Sequence, residues 1–172
     1  VAFAHGCHPV VLGAGNRLYT ADFPYYARAA VEAAYPGAVA LFPCKPETEQ
    51  RAAQPGQGAM GLAHCEAGGG RFALSWADTP DPMQAGPALK AMPQALAAKL
   101  GVPLPAGEAL QVPGMTPLGE AAQYRLAAGS GVTRVAVFAY GGRVYQAMMT
   151  VPQDDAAVWE SFRAGLAVQA AR

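Results

Sequence analysis

Arg71-Phe-Ala-Leu-Ser-Trp-Ala-Asp78 alternates large apolar residues with small or polar ones, so a strand there sets Phe72, Leu74 and Trp76 on one face. Gly68-Gly69-Gly70 just before it reads as a hairpin turn. Residues 132–140 and 143–151 are two further β-rich runs, and Gly141-Gly142 between them permits the positive φ angles of a tight hairpin. Between these strands the apolar period changes. Leu89, Met92, Leu96 and Leu100 recur at helical spacing, with Pro87 near the start, Gly101 as a stop and Pro93 as a point of kinking. A last helix is expected after Asp154-Asp155, whose charges suit a helix N-terminus, with Val158, Trp159, Phe162 and Leu166 as its apolar stripe.

The N-terminal quarter reads differently. Residues 3–12 form an extended run broken at Pro9, and Gly13 to Asn16 form a turn. Asp22 is a natural N-cap with Pro24 in the first turn, and Tyr26, Ala29, Ala30 and Ala33 keep helical spacing until Pro36-Gly37. Residues 38–42 then read as a strand. The expected fold is therefore α+β: an antiparallel sheet covered by two helices over residues 41–172, with a strand-helix-strand appendage over residues 1–40. The appendage cannot bury both faces of its own strands, so it should share its last strand with the neighbouring sheet.

A chain of 172 residues, 52% of them hydrophobic, is long enough for a real core. Twelve basic residues against twelve acidic ones leave no net field to draw nucleic acid or anionic lipid. No apolar run approaches the ~20 residues that cross a bilayer as a helix. The three cysteines, Cys7, Cys44 and Cys65, lack Cys-x-x-Cys spacing, which argues against a structural zinc knuckle. Cys44 follows one strand-like run and Cys65 ends another, so neighbouring strands could bring them within bonding distance. The alternative is that both behave as small buried hydrophobes. A disulfide would point to an oxidising compartment, periplasmic or extracellular.

His5, Cys7 and His8 are ligands of the kind zinc prefers. On an extended strand, however, His5 and Cys7 point opposite to His8. The better metal candidate is His8 alone, completed from elsewhere by residues such as His64, Glu66 or Asp78, with Asp22 or Glu66 as general base. Val10-Val-Leu-Gly-Ala-Gly-Asn-Arg-Leu18 lacks the third glycine and the immediate helix of a dinucleotide fingerprint. No serine stands in a Gly-x-Ser-x-Gly elbow. Tyr19, Tyr25 and Tyr26 could line a groove. Tyr145, Met148 and Met149 are candidates to line a concave, shape-adaptable sheet face for an apolar ligand or a partner helix.

Two resemblances extend this reading. In residues 3–42, the Cys7-His8-Pro9 turn, Asn16 and Ala21-Asp22 ahead of a helix resemble a central segment of the neutral/alkaline ceramidase family. That likeness implies a zinc amide hydrolase, with His8 as one ligand and a ceramide-like amide as substrate. It departs from the family at Pro43-Cys44-Lys45-Pro46, where those enzymes continue into a Gly-Asp-x-Ser/Asn-Pro turn. In residues 41–166, Phe42-Pro-Cys-Lys-Pro46, Ala73-Leu-Ser-Trp-Ala-Asp78, Gly142-Arg-Val-Tyr-Gln146 and Trp159-Glu-Ser-Phe162 resemble small exported bacterial domains of the PsbP/Mog1-like type. This second likeness implies a non-catalytic module without cofactor, binding an apolar ligand or a protein partner. The zinc hydrolase, or an incomplete remnant of one, is the alternative.

Overall fold

Each predicted strand of the central and C-terminal parts forms in the computed structural model, which describes residues 2–3, 40–41, 44–129 and 131–168. In chain order the strands are β1 (Ala2–Phe3), β2 (Ala40–Leu41), β3 (Glu47–Arg51), β4 (Met60–Ala67), β5 (Gly70–Asp78), β6 (Glu108–Ala109), β7 (Ala122–Ala128), β8 (Gly131–Tyr140) and β9 (Arg143–Val151). The helices are α1 (Ala85–Leu100) and α2 (Ala156–Ala164), and a short 3-10 turn at Pro82–Gln84 leads into α1. β1 and β2 pair in parallel as a separate two-stranded ribbon, Ala2 opposite Ala40. The helix expected after Asp22 and the rest of the expected first strand lie outside the described residues.

β3 to β9 make one open sheet in the order β3-β4-β5-β9-β8-β7-β6, antiparallel at every step. The fold is α+β, as the alternation predicted. Its path is two meanders joined by a helix. β3, β4 and β5 run in sequence; α1 then carries the chain to the far edge, and β6 to β9 return until β9 pairs with β5. Both hairpins that the sequence predicts place glycine in their turns. Ala67 pairs with Gly70 across Gly68 and Gly69, both at positive φ, and Tyr140 pairs with Arg143 across Gly141 at φ 54° and Gly142.

Register assigns the two faces. On one, Cys65, Phe72 and Met149 line up across three strands, as do Trp76, Tyr145 and Phe138. α2 lies over this face. Phe162 meets Phe72 edge-on with centroids 5.4 Å apart, and the Trp159 indole N–H donates to the Gln123 amide oxygen at 3.0 Å. Phe138 and Tyr145 stack at 5.1 Å, and both are fully buried. Burial pushes the Tyr145 phenol up to about 12, with Arg143 nearby opposing the shift. The other face carries smaller side chains over β7 to β9: Leu126, Val135, Val137, Ala139 and Val144, all buried. α1 packs close against these three strands, and its buried stripe is Ala85, Leu89, Pro93 and Ala97. Pro93 therefore sits inside the helix at its packed face. Gly101 ends the helix at φ 68°, its N–H returning to the carbonyls of Ala97 and Ala98.

Asp154 and Asp155 divide the work expected of them as a pair. Asp155 alone caps α2, accepting from the Val158 N–H at 3.1 Å. Asp154 instead accepts from Arg125 and Arg134, cross-strand neighbours on β7 and β8, and these guanidinium groups hold its carboxyl down to about 2. Val158, expected in the buried stripe, is 37% exposed, whereas Trp159, Phe162 and Leu166 are buried as expected.

Candidate functional site

α1 covers only part of its face. Over Val135, Val137 and Ala139 of β8 and Val144 of β9 it seals the side chains beneath it, but toward β5, β4 and β3 much of the same face is left open. Leu62, Ser75 and Ala77 are half-buried there, and Met60 is 41% exposed. Between Met92 of α1 and this uncovered stretch runs a groove of about 470 Å³. That volume lies within the range of small-molecule sites, roughly 300–1,000 Å³.

Alternation builds the groove from the sequence. Arg51 pairs with Met60 and Met60 with Ala77; Glu49 pairs with Leu62 and Leu62 with Ser75, so all six side chains project to one side. The floor is small (Ser75, Ala77) and the wall is flexible and apolar (Met60, Leu62, Met92). Glu49 and Arg51 form a charged outer rim on an edge strand whose residues are all exposed. Ser75 stands in register between Leu62 and Gln146, neither of which can take a proton from its hydroxyl.

The opposite side of the same strands is laminated. The Arg143 guanidinium lies 3.9 Å above the Trp76 ring and holds Asp78 through two hydrogen bonds, Nε to Oδ1 at 2.5 Å and Nη2 to Oδ2 at 2.9 Å. These bonds raise the arginine above its ordinary value. Beneath the indole is Gly61, where a Cβ would come within 2.5 Å of the Trp76 Nε1. Trp76 is thus fixed between a cation and a bare backbone.

Cys44 and Cys65 form a disulfide with Cα atoms 5.9 Å apart, bridging 21 residues. It ties the chain just before β3 to the end of β4, one residue beyond the Glu47–His64 pair. The sheet face assigned to Tyr145, Met148 and Met149 does not exist as a unit. Adjacent strand residues point to opposite faces, so Tyr145 and Met149 are sealed beneath the α2 layer while Met148 is half-buried on the α1 side.

His8 lies outside the described residues, with His5, Cys7, Asp22, Tyr19, Tyr25 and Tyr26. The groups suggested to complete its metal site are spread out. His64 and Glu66 lie on the α1 face, Glu66 held by Arg71 at 2.7 Å, and Asp78 lies on the other face in the grip of Arg143. Among the described residues no three His, Cys, Asp or Glu side chains gather as a metal site. No helix among them is long and apolar enough to cross a membrane.

The groove was not anticipated as a site. Its one visible signal was Met92 in the predicted helical stripe; β3, Glu-Thr-Glu-Gln-Arg, has no apolar alternation to mark it as a strand.

No family model and no curated protein matches the chain. A crystal structure of a protein from Bacteroides thetaiotaomicron VPI-5482 superposes with a TM-score of 0.38 at 12% identity, over 71% of this chain and 42% of that one. The match thus spans less than half of that protein's length.

Proposed function

We propose that this protein is a non-catalytic binding module that holds a small apolar ligand in the groove between α1 and the β3–β5 strands. One observation carries the reading. A single helix seals Val135, Val137 and Val144 completely yet stops short of Leu62, Ala77 and Met60 on the same face. Leaving such side chains at a concave surface costs hydrophobic free energy that a ligand recovers on binding. The two methionines at the mouth adapt to ligands of differing shape. The sequence likeness of residues 41–166 to exported PsbP/Mog1-like domains accords with a binding role. The Cys44–Cys65 disulfide, of a kind that persists outside reducing cytosol, favours a periplasmic or extracellular setting.

The test uses N-phenyl-1-naphthylamine, an uncharged apolar fluorophore. Saturable one-to-one uptake is expected. Ala77→Phe, which fills the floor, and Leu62→Glu, which charges the wall, should each weaken it at least about tenfold, roughly 1.4 kcal/mol. Failure of the protein to take up the probe, or unchanged uptake in both variants, would overturn the proposal.

A further inference from the structure

β3 is an edge strand with one side paired to β4 and, among the described residues, no strand on the other. Exposed edges of this kind are templates for a further strand. At the opposite edge, β6 pairs with only Ala122 and Gln123 of β7, and the run beyond it, Tyr124–Ala128, has one charged side chain, Arg125, which Asp154 already holds, so it lacks a charge order that could match itself. β3 is also held in place, by the Cys44–Cys65 disulfide at one end and by the reciprocal Gln54–Gln57 backbone pair shortly beyond the other.

From the order of its charges we infer that β3 pairs antiparallel with β3 of a second copy, about a twofold axis through Glu49. Glu47-Thr48-Glu49-Gln50-Arg51 is self-complementary in that register and in no parallel one. Glu47 of each copy faces Arg51 of the other, and Thr48 faces Gln50, so two ion pairs and two polar pairs form. A parallel in-register pairing would set glutamate on glutamate and arginine on arginine. The single unfavourable contact of the antiparallel arrangement is Glu49 against its own copy. Opposite charges directly across strands stabilise and like charges oppose, which is why the order of this segment selects its partner. The arrangement is isologous, as closed dimers require.

Glu47, Glu49 and Arg51 all project on the groove side of the sheet. Pairing therefore brings the outer rims of two grooves together, and each copy contributes Glu49 and Arg51 to the border of the other. This last consequence rests on the binding role proposed above; the strand pairing does not.

Sedimentation equilibrium of the full chain tests the pairing. The protein should be dimeric. Arg51→Glu and Glu47→Arg, both at exposed positions, should each weaken self-association by about tenfold or more, and an equimolar mixture of the two variants should form a heterodimer. The double swap Glu47→Arg/Arg51→Glu should restore the homodimer, and Glu49→Gln should tighten it roughly threefold. A monomeric parent protein, or single variants that associate like it, would overturn the inference. Leu62→Glu keeps the two ideas separable: it should lose the naphthylamine probe yet remain dimeric.

Discussion

The β3–β5 and β7–β9 halves share one plan, three antiparallel strands with a two-residue glycine hairpin followed by a helix, but they are finished differently. In the second half, β8 is sealed on both faces along Val135–Ala139 and β9 on its α2 face at Tyr145, Ala147 and Met149. Val135, Ala136, Val137, Phe138, Ala139, Ala147 and Met149 are each at most 1% exposed, with α1 on one side and α2 on the other. The first half is covered mainly on the α2 side, at Phe72, Leu74 and Cys65, and its outer strand is exposed along its whole length. What packing does for β7–β9, a disulfide does for β3–β4. The contrast assigns stability to one half and an available surface to the other, the usual division between a scaffold and a site built upon it.

The largest effect should separate the halves directly. Phe138→Ala removes a buried ring stacked on Tyr145 and should cost about 4 kcal/mol, whereas Leu62→Ala at the groove should cost about 1 kcal/mol or less. Chemical denaturation of both variants checks the difference; equal costs would break the comparison. Next is the disulfide. Replacing Cys44 and Cys65 by serine should cost about 3 kcal/mol by the chain-entropy argument, and lower Tm by roughly 10 °C. Amide hydrogen exchange should show the loss of protection concentrated in β3 and β4, with β8 and β9 keeping theirs.

A smaller effect concerns how α2 is attached to the sealed half. The Asp154 carboxyl falls from an ordinary 3.8 to about 2 beside Arg134 and Arg125. Its folded value lies below its unfolded one, so its contribution is present above about pH 4 and disappears as pH falls from 4 toward 2. The carboxylate is 22% exposed and Arg125 is 49% exposed, so solvent screening reduces the contribution to about 1 kcal/mol. Asp154→Asn should therefore be less stable than the parent at pH 7 and equal to it near pH 2, as thermal melts across that range can establish.

Much of the core was legible in the sequence because burial leaves a period. Phe72 and Leu74 alternate, Leu89 recurs with Met92 at helical spacing, and Gly141-Gly142 marks a turn that nothing else in the segment competes to make. The stripe of α1 was partly misread. Helix neighbours Ala85, Pro93 and Ala97, small or ring-closed, carry the packed face, and a hydrophobicity pattern gives more weight to Met92, Leu96 and Leu100 at its margin. Trp76 looked like core beside Phe72 and Leu74, yet it is only half-buried because Arg143, rather than apolar cover, lies over its ring. The pairing of Cys44 with Cys65 was readable as one of two options, since each cysteine borders a strand-like run. The groove was not readable, because it depends on how far α1 extends sideways over the sheet, a tertiary fact with no local signature. β3 escaped for the complementary reason that every one of its side chains meets solvent.

Methyl-labelled methionine NMR during titration with N-phenyl-1-naphthylamine tests the central claim most directly, because methionines stand on both sides of the comparison. The Met60 and Met92 methyl resonances should move together and saturate, while that of Met149, sealed under α2, stays in place. Saturable movement of Met149 with Met60 and Met92 unmoved would contradict the account.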